Sequence, residues 1–211
     1  MINSLYPCFQ HWSELGGVYL VSDTHFKDLD RKYMGYYISD EDQWYLINDT
    51  CHRFDTLIHL GDVGDLSYIK RLRCHKVLIM GNHDQSIEKM EEVFDEVYSG
   101  PLWISKKLVL SHEPIDIKFA GAYEDVPNIA FNIHGHNHNN AFIDTDHLNL
   151  AQNIYGYIPL NLNQFIKSGK LKNIDDIHRT TINKAIEKKE YKIDLWGRDL
   201  DKKTPKGEFE F

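Results

Sequence analysis

Seven residues of this chain have side chains that bind cations, and each stands where an apolar run gives way to polar residues: Asp23, His25, Asp62, Asn82, His112, His136 and His138. Carboxylate, imidazole and amide oxygen together make a mixed oxygen and nitrogen donor set, which suits manganese, iron or zinc. Magnesium alone fits less well, because it prefers oxygen and keeps its waters. Seven donors are too many for one ion and suit two ions that share a carboxylate. Two ions roughly 3.5–4 Å apart can clamp an in-line displacement at phosphorus, so cleavage of a phosphate ester is the chemistry implied. Asp23 and His25 are two apart, and on an extended segment their side chains would leave on the same side. His136 and His138 repeat that spacing.

No single stretch carries this reading. Gly81-Asn82-His83-Asp84 follows the apolar run Val77-Leu78-Ile79-Met80, and alone it reads equally well as a strand leading into a capped helix. The weight lies in the recurrence of one pattern along the chain.

The elements that must position these residues follow from periodicity. Apolar runs predict strands over 17–22, 56–60, 76–80, 93–98, 106–111 and 128–134, with 144–153 and 155–160 continuing the same sheet. Helical spacing and start signals predict helices over 39–54, 65–73, 85–92 and 173–189. Residues 26–39 show no clear period and read as a long loop. Its aromatics, Phe26, Tyr33, Tyr36 and Tyr37, fit a substrate wall and a cover for the core equally well. Strands alternating with helices imply a mixed α/β architecture, whose ligands bind along the edge where the strand carboxyl ends gather.

Composition bounds the partners. The chain has 211 residues, 42% hydrophobic and 27% charged, which suits one domain over 1–198 followed by a charged tail over 199–211. No apolar run reaches the roughly 18 residues of a membrane span, and the first residues lack the basic and apolar regions of a secretory signal. A cytoplasmic location is therefore expected, with no membrane partner. Cys8, Cys51 and Cys74 are odd in number and lack zinc-finger spacing, so they read as small, reduced residues. A net charge of −8 argues against broad nucleic-acid binding, although two cations would make a locally positive centre. Twelve histidines exceed what a core requires. Of these, His59 and His134 lie inside strands and read as packed residues or as supports for true ligands, while His11, His52, His75, His147 and His178 read as surface or structural.

Ser22-Asp23-Thr24-His25, Gly61-Asp62, Gly81-Asn82-His83-Asp84, a lone His112 and Gly135-His136-Asn137-His138 resemble, in order, the five signature blocks of the calcineurin-like metallophosphoesterase superfamily. The resemblance implies an α/β fold, a four-layer α-β-β-α sandwich of two mixed sheets flanked by helices. It implies two divalent or transition-metal ions, manganese first, with iron, zinc or nickel as alternatives. Asp23, His25 and His138 would bind the first ion, Asn82, His112 and His136 the second, and Asp62 would bridge them. A hydroxide held between the ions would attack phosphorus. His83 matches the histidine that contacts the phosphate and protonates the leaving oxygen, and Asp84 would orient its ring. The implied partner is a small phosphorylated substrate, whether monoester, diester or nucleotide. The chain lacks the arginine-bearing neighbour after Gly-Asp found in protein serine/threonine phosphatases, which argues against phosphoprotein substrates. Asp65, similar in place to a residue of cyclic-nucleotide-acting members, reads better as a helix cap. A nuclease is the alternative within the chemistry, and would need a basic, aromatic-lined groove. A non-catalytic scaffold is the alternative outside it, and would have lost ligands.

Overall fold

β1 (Val18–Val21), β2 (Thr56–His59) and β3 (His75–Ile79) pair in parallel at the centre of one sheet, with Leu20 beside Ile58 and Ile58 beside Val77. β4 (Glu96–Tyr98) extends the sheet in parallel beyond β3, and β9 (Leu160–Asn161) closes the other side antiparallel to β1. Apolar residues in β1, β2 and the end of β3 do not alternate with polar ones, because both faces are buried there. Val18, Leu20, Ile58, Leu60, Val77 and Ile79 pack toward a second sheet, whereas Val21, Leu57 and Leu78 pack under helices.

That second sheet has the order β5 (Leu102–Trp103), β6 (Leu108–Leu110), β7 (Phe131–His134) and β8 (His147–Asn149). It is mixed, with β5 antiparallel to β6 and the rest parallel. Leu102, Leu108, Leu110 and Ile133 meet the first sheet in the central core, and Trp103 and Val109 face outward onto Ile115 and Ile117. In this computed structural model the described residues are 11–14, 16–104, 107–117, 131–139 and 145–168. The expected helix over 173–189 and tail over 199–211 lie outside them.

The α/β class and the two face-to-face mixed sheets agree with expectation. Sheet membership agrees in part: β8, within the expected strand 144–153, continues the sheet from β7, whereas the strand expected over 155–160 does not. β8 joins the second sheet, Gln152–Tyr155 forms a short helix (numbered α5 below), and β9 returns to β1 of the first sheet. Two short pairings, Tyr19 with Asn161 and Leu20 with Leu160, make that return, and sequence periodicity carries no signal for which edge a two-residue strand joins.

α1 (Arg31–Met34) is a single turn within the expected loop, ended by Gly35 at φ 88°. α2 (Asp40–Thr50) begins at Ser39, whose hydroxyl accepts the Asp42 N–H, with Asp40, Glu41 and Asp42 in the first turn favouring its dipole. α3 (Leu66–Lys70) is capped by Asp65, which accepts from Ser67 N–H, so the capping role expected for Asp65 holds. Further helices among the described residues are α4 (Ile87–Glu91), α5 (Gln152–Tyr155) and α6 (Leu162–Lys167). No helix among the described residues is long and apolar enough to cross a membrane.

The outer edge of the first sheet is held by a polar knot at Glu96. Its carboxylate accepts from Trp12 Nε1 at 2.9 Å, His75 Nε2 at 2.7 Å and the Tyr98 hydroxyl at 2.6 Å. Burial alone would raise the Glu96 pKa, but these donors outweigh it and hold it at about 2, while the Glu96 hydrogen bond raises that of His75. The Glu96 contribution is complete above its unfolded pKa of roughly 4.3 and is lost as pH falls toward 2. That of His75 is complete below its unfolded pKa, roughly 6.5, and is lost as pH rises through its elevated folded value. Glu96→Gln should therefore destabilise the fold by roughly 1–2 kcal/mol, discounted for partial exposure, and most strongly between about pH 5 and 6. Urea unfolding of both proteins at pH 3, 5.5 and 8 checks this, and an equal difference at all three values would refute it.

Candidate metal centre

Strand ends from both sheets converge on one point. β1 runs through Ser22 into Asp23, β2 into Gly61-Asp62, β3 into the loop with Asn82, His83 and Asp84, β6 into His112, and β7 into Gly135 and His136. The chain does not deliver them as extended segments. Asp23, His25, Asp62 and His136 have φ of 54°, 43°, 59° and 68°. The expected extended geometry for the pairs Asp23/His25 and His136/His138 is therefore corrected: left-handed turns, not strand alternation, bring the side chains together. Such angles are costly for non-glycine residues and persist where surrounding contacts impose them.

Donor atoms form two groups that share one residue. Asp23, His25, Asp62 and His138 each present an atom to a common space, with all four atoms within 4.8 Å of one another, and so do Asp62, His112 and His136. His138 Nε2 lies 3.5 Å from Asp23 Oδ1, and His25 Nε2 lies 3.5 Å from Asp62 Oδ2. In the second group, Asn82 Oδ1, His112 Nε2 and His136 Nδ1 make a triangle with sides of 2.9, 3.0 and 3.2 Å. Asp62 Oδ2 is 3.4 Å from His112 Nε2, so one carboxylate oxygen faces both groups. All seven expected ligands are thus gathered.

The residues present fit a cation. His25 Nδ1 is bonded to Asp28 Oδ2 at 3.0 Å, which leaves Nε2 with the lone pair. That Nε2 is buried without a hydrogen-bond partner and is aimed between two carboxylates, an arrangement a positive charge would satisfy. Without a cation, burial pushes the Asp23 carboxyl above its usual range. Burial would likewise raise Asp62, but His112 outweighs it and holds Asp62 at about 2. Burial opposes charge on His112, yet the hydrogen bond to Asp62 and the charges of Asp23 and Asp62 lift it to about 9. A proton there takes the place of positive charge.

Several supporting residues have no signature in the sequence. Asp28 orients His25, the Leu60 carbonyl accepts from His112 Nδ1 at 2.8 Å, and Asn153 Oδ1 accepts from His138 Nδ1 at 2.9 Å. Each bond directs the opposite ring nitrogen to the centre. His59, read as a packed residue or a support, is fully buried between Thr24 Oγ1 at 3.0 Å and the Gly61 N–H at 3.1 Å. Burial lowers its pKa to about 3, so it stays neutral while tying the Asp23 turn to the Asp62 turn.

His83 and Asp84 separate. His83 is exposed at the rim, its ring centre 5.8 Å from that of His25, and its backbone N–H donates to Asp62 Oδ1 at 2.9 Å. Asp84 accepts from the backbone N–H groups of Gly81, Asp62 and Val63 at 2.8, 3.1 and 2.9 Å. The expected support of the His83 ring is therefore corrected: Asp84 organises the turn that carries Asp62. Turn N–H groups facing inward need an acceptor, and the nearest carboxylate supplies it.

The aromatics of 26–39 divide as well. Phe26 is core, stacked on Tyr68 with ring centres 4.5 Å apart. Tyr33 and Tyr37 are each 76% exposed. Tyr36 alone reaches the centre, where its hydroxyl donates to the Asp23 carbonyl and its ring lies 6.2 Å from His25 and 6.0 Å from His138.

Comparison with known proteins agrees with this geometry. No curated protein matches the chain. Among solved structures, it is similar to a protein of unknown function from Aquifex aeolicus, at 26% identity and a TM-score of 0.58, covering 72% of this chain and 98% of that one. The family model for the calcineurin-like phosphoesterase superfamily domain matches residues 17–154, a range that holds every residue of the centre from Asp23 to His138. The chain belongs to the calcineurin-like phosphoesterase superfamily.

Proposed function

We propose that this protein is a dinuclear-metal-dependent phosphoesterase acting on a small phosphomonoester, phosphodiester or nucleotide. The observation that carries the reading is Asp62 Oδ2, 3.5 Å from His25 Nε2 and 3.4 Å from His112 Nε2, a single carboxylate oxygen common to two donor groups. Asp23, His25 and His138 would hold one ion and Asn82, His112 and His136 the other, with Asp62 between them. When bound, two divalent ions polarise phosphoryl oxygens and lower the pKa of the attacking water. Manganese is the first candidate, ahead of iron, zinc and nickel.

The chain's own residues supply orientation and a proton. Buried Asp23, His25 and Asp62 face inward, whereas Asn82 and His83 are exposed, so the substrate side is the rim that carries His83. There the His83 imidazole would bind a phosphoryl oxygen and give a proton to the leaving oxygen. Its N–H bond to Asp62 fixes the backbone from which it reaches. A nuclease would need a basic groove, which the net charge of −8 does not favour. Buried, free Cys51 and Cys74 accord with a reducing, cytoplasmic setting.

Metal-free protein, supplied in turn with manganese, zinc and magnesium, tests the reading on a chromogenic phosphomonoester and phosphodiester. Turnover of at least one ester, absent in Asp62→Asn, is expected. No turnover above that blank with any metal overturns the enzyme reading, and hydrolysis of the diester alone directs it toward a phosphodiesterase or nuclease.

A further inference from the structure

Asn153, in α5, makes three hydrogen bonds through one side-chain amide. Its Oδ1 accepts from His138 Nδ1 at 2.9 Å, and its Nδ2 donates to the His138 carbonyl at 2.7 Å and to the Met34 carbonyl at 2.6 Å. The amide has one workable orientation, because turning it over would set its oxygen against two carbonyl oxygens. Met34 is the last residue of α1, where helix carbonyls lack partners within the helix. Asn153 thus joins a histidine of the centre to the 26–39 loop across 119 residues of sequence.

Three further bonds of the loop run to the same side of the centre. Asp28 holds His25 Nδ1, the Tyr36 hydroxyl donates to the Asp23 carbonyl, and Arg31 donates to the Thr24 carbonyl at 2.9 Å. Every one of these contacts falls on residues 23–25, next to His25 and Asp23. None of these three bonds reaches Asn82, His112 or His136, whose side chains meet one another and Leu60, while the His136 backbone N–H donates to Asp23.

We infer that Asn153 is a positioning residue that locks the first metal position and the 26–39 loop into one unit. Its oxygen fixes His138 in the tautomer that presents Nε2, and its nitrogen holds α1, and with it Asp28 and Tyr36, against His25 and Asp23. The assignment of ions to the two groups rests on the function proposed above; the tautomer and the loop coupling do not.

Two variants separate the halves of the amide. Asn153→Ala removes all three bonds, whereas Asn153→Asp keeps the acceptor for His138 and loses both donors. Three readouts apply: the ¹⁵N shifts of the His138 ring in metal-free protein, amide hydrogen exchange over residues 30–37, and manganese titration calorimetry. In Asn153→Ala the His138 ring should become a mixture of tautomers, loop exchange should accelerate, and affinity at one of two positions should fall roughly 10–100-fold. In Asn153→Asp the tautomer should persist while loop exchange accelerates as in Asn153→Ala. An unchanged tautomer and unchanged exchange in Asn153→Ala overturn the inference, as does equal weakening at both metal positions. If the unaltered protein binds no manganese, zinc or magnesium, the proposed function fails, while the ring shifts and loop exchange still decide the role of Asn153.

Discussion

His83→Ala is expected to slow ester hydrolysis roughly 10²–10⁴-fold, the usual contribution of a positioned general acid, with both metal positions still filled. The imidazole stands at the exposed rim and is not among the donor atoms that converge, so its loss removes nothing that would hold a cation. Its backbone N–H to Asp62 survives the substitution. Asn82→Ala is the contrasting case, since Asn82 Oδ1 lies 2.9 Å from His112 Nε2 and 3.0 Å from His136 Nδ1. It should weaken metal binding at that position. Calorimetric metal titration alongside kcat and KM distinguishes the two, and an emptied centre in His83→Ala would reverse the assignment of these neighbours. A substrate with a good leaving group should lessen the His83→Ala defect, because a departing oxygen of low pKa needs no proton.

Gly135→Ala should do damage of another kind. A Cβ at this position would stand 1.9 Å from Ser22 Oγ and 2.1 Å from Asp23 Oδ2, contacts real atoms do not make. Asp23 cannot swing away freely, because both of its carboxylate oxygens accept the His136 N–H, at 3.1 and 3.0 Å. The methyl must therefore displace a buried carboxylate or part the two sheets where β1 and β7 end. Overpacking of this kind costs typically 1–3 kcal/mol, which in a chain of this size lowers Tm by roughly 2–12 °C. Metal binding that involves Asp23 should weaken with it. Gly100→Ala is the control, since nothing lies within 4 Å of its added Cβ. Equal thermal stability and metal affinity in Gly135→Ala and the unaltered protein would show that the turn has room this geometry denies.

Part of this protein was legible without coordinates. Strands 17–22, 56–60 and 76–80 are short apolar runs buried on both faces, and each was readable because burial on both sides leaves a local mark in composition. The identities of Asp23, His25, Asp62, Asn82, His112, His136 and His138 were readable for a similar reason. Donor chemistry belongs to the residue itself, and glycine or serine beside Asp23, Asp62, Asn82, His112 and His136 marks where a strand ends.

What the donors face was decided only by the tertiary structure. The left-handed turns at Asp23, His25, Asp62 and His136 replace the extended geometry expected from spacing, because their backbone angles are imposed by contacts between strand ends. The partners of Asp84 turned out to be three backbone N–H groups and not the His83 ring, and only closure of the Asp62 turn brings them within reach. Phe26 and Tyr36, equivalent members of one aromatic loop in the sequence, end in the core and beside the centre. Asn153 left no trace in the pattern, since its partners are 15 and 119 residues away. The sequence by itself determined which atoms can bind metal, a property each side chain carries alone. The tertiary structure decided which lone pair each imidazole offers and which backbone turn each carboxylate holds, because both depend on a second group that only long-range folding delivers.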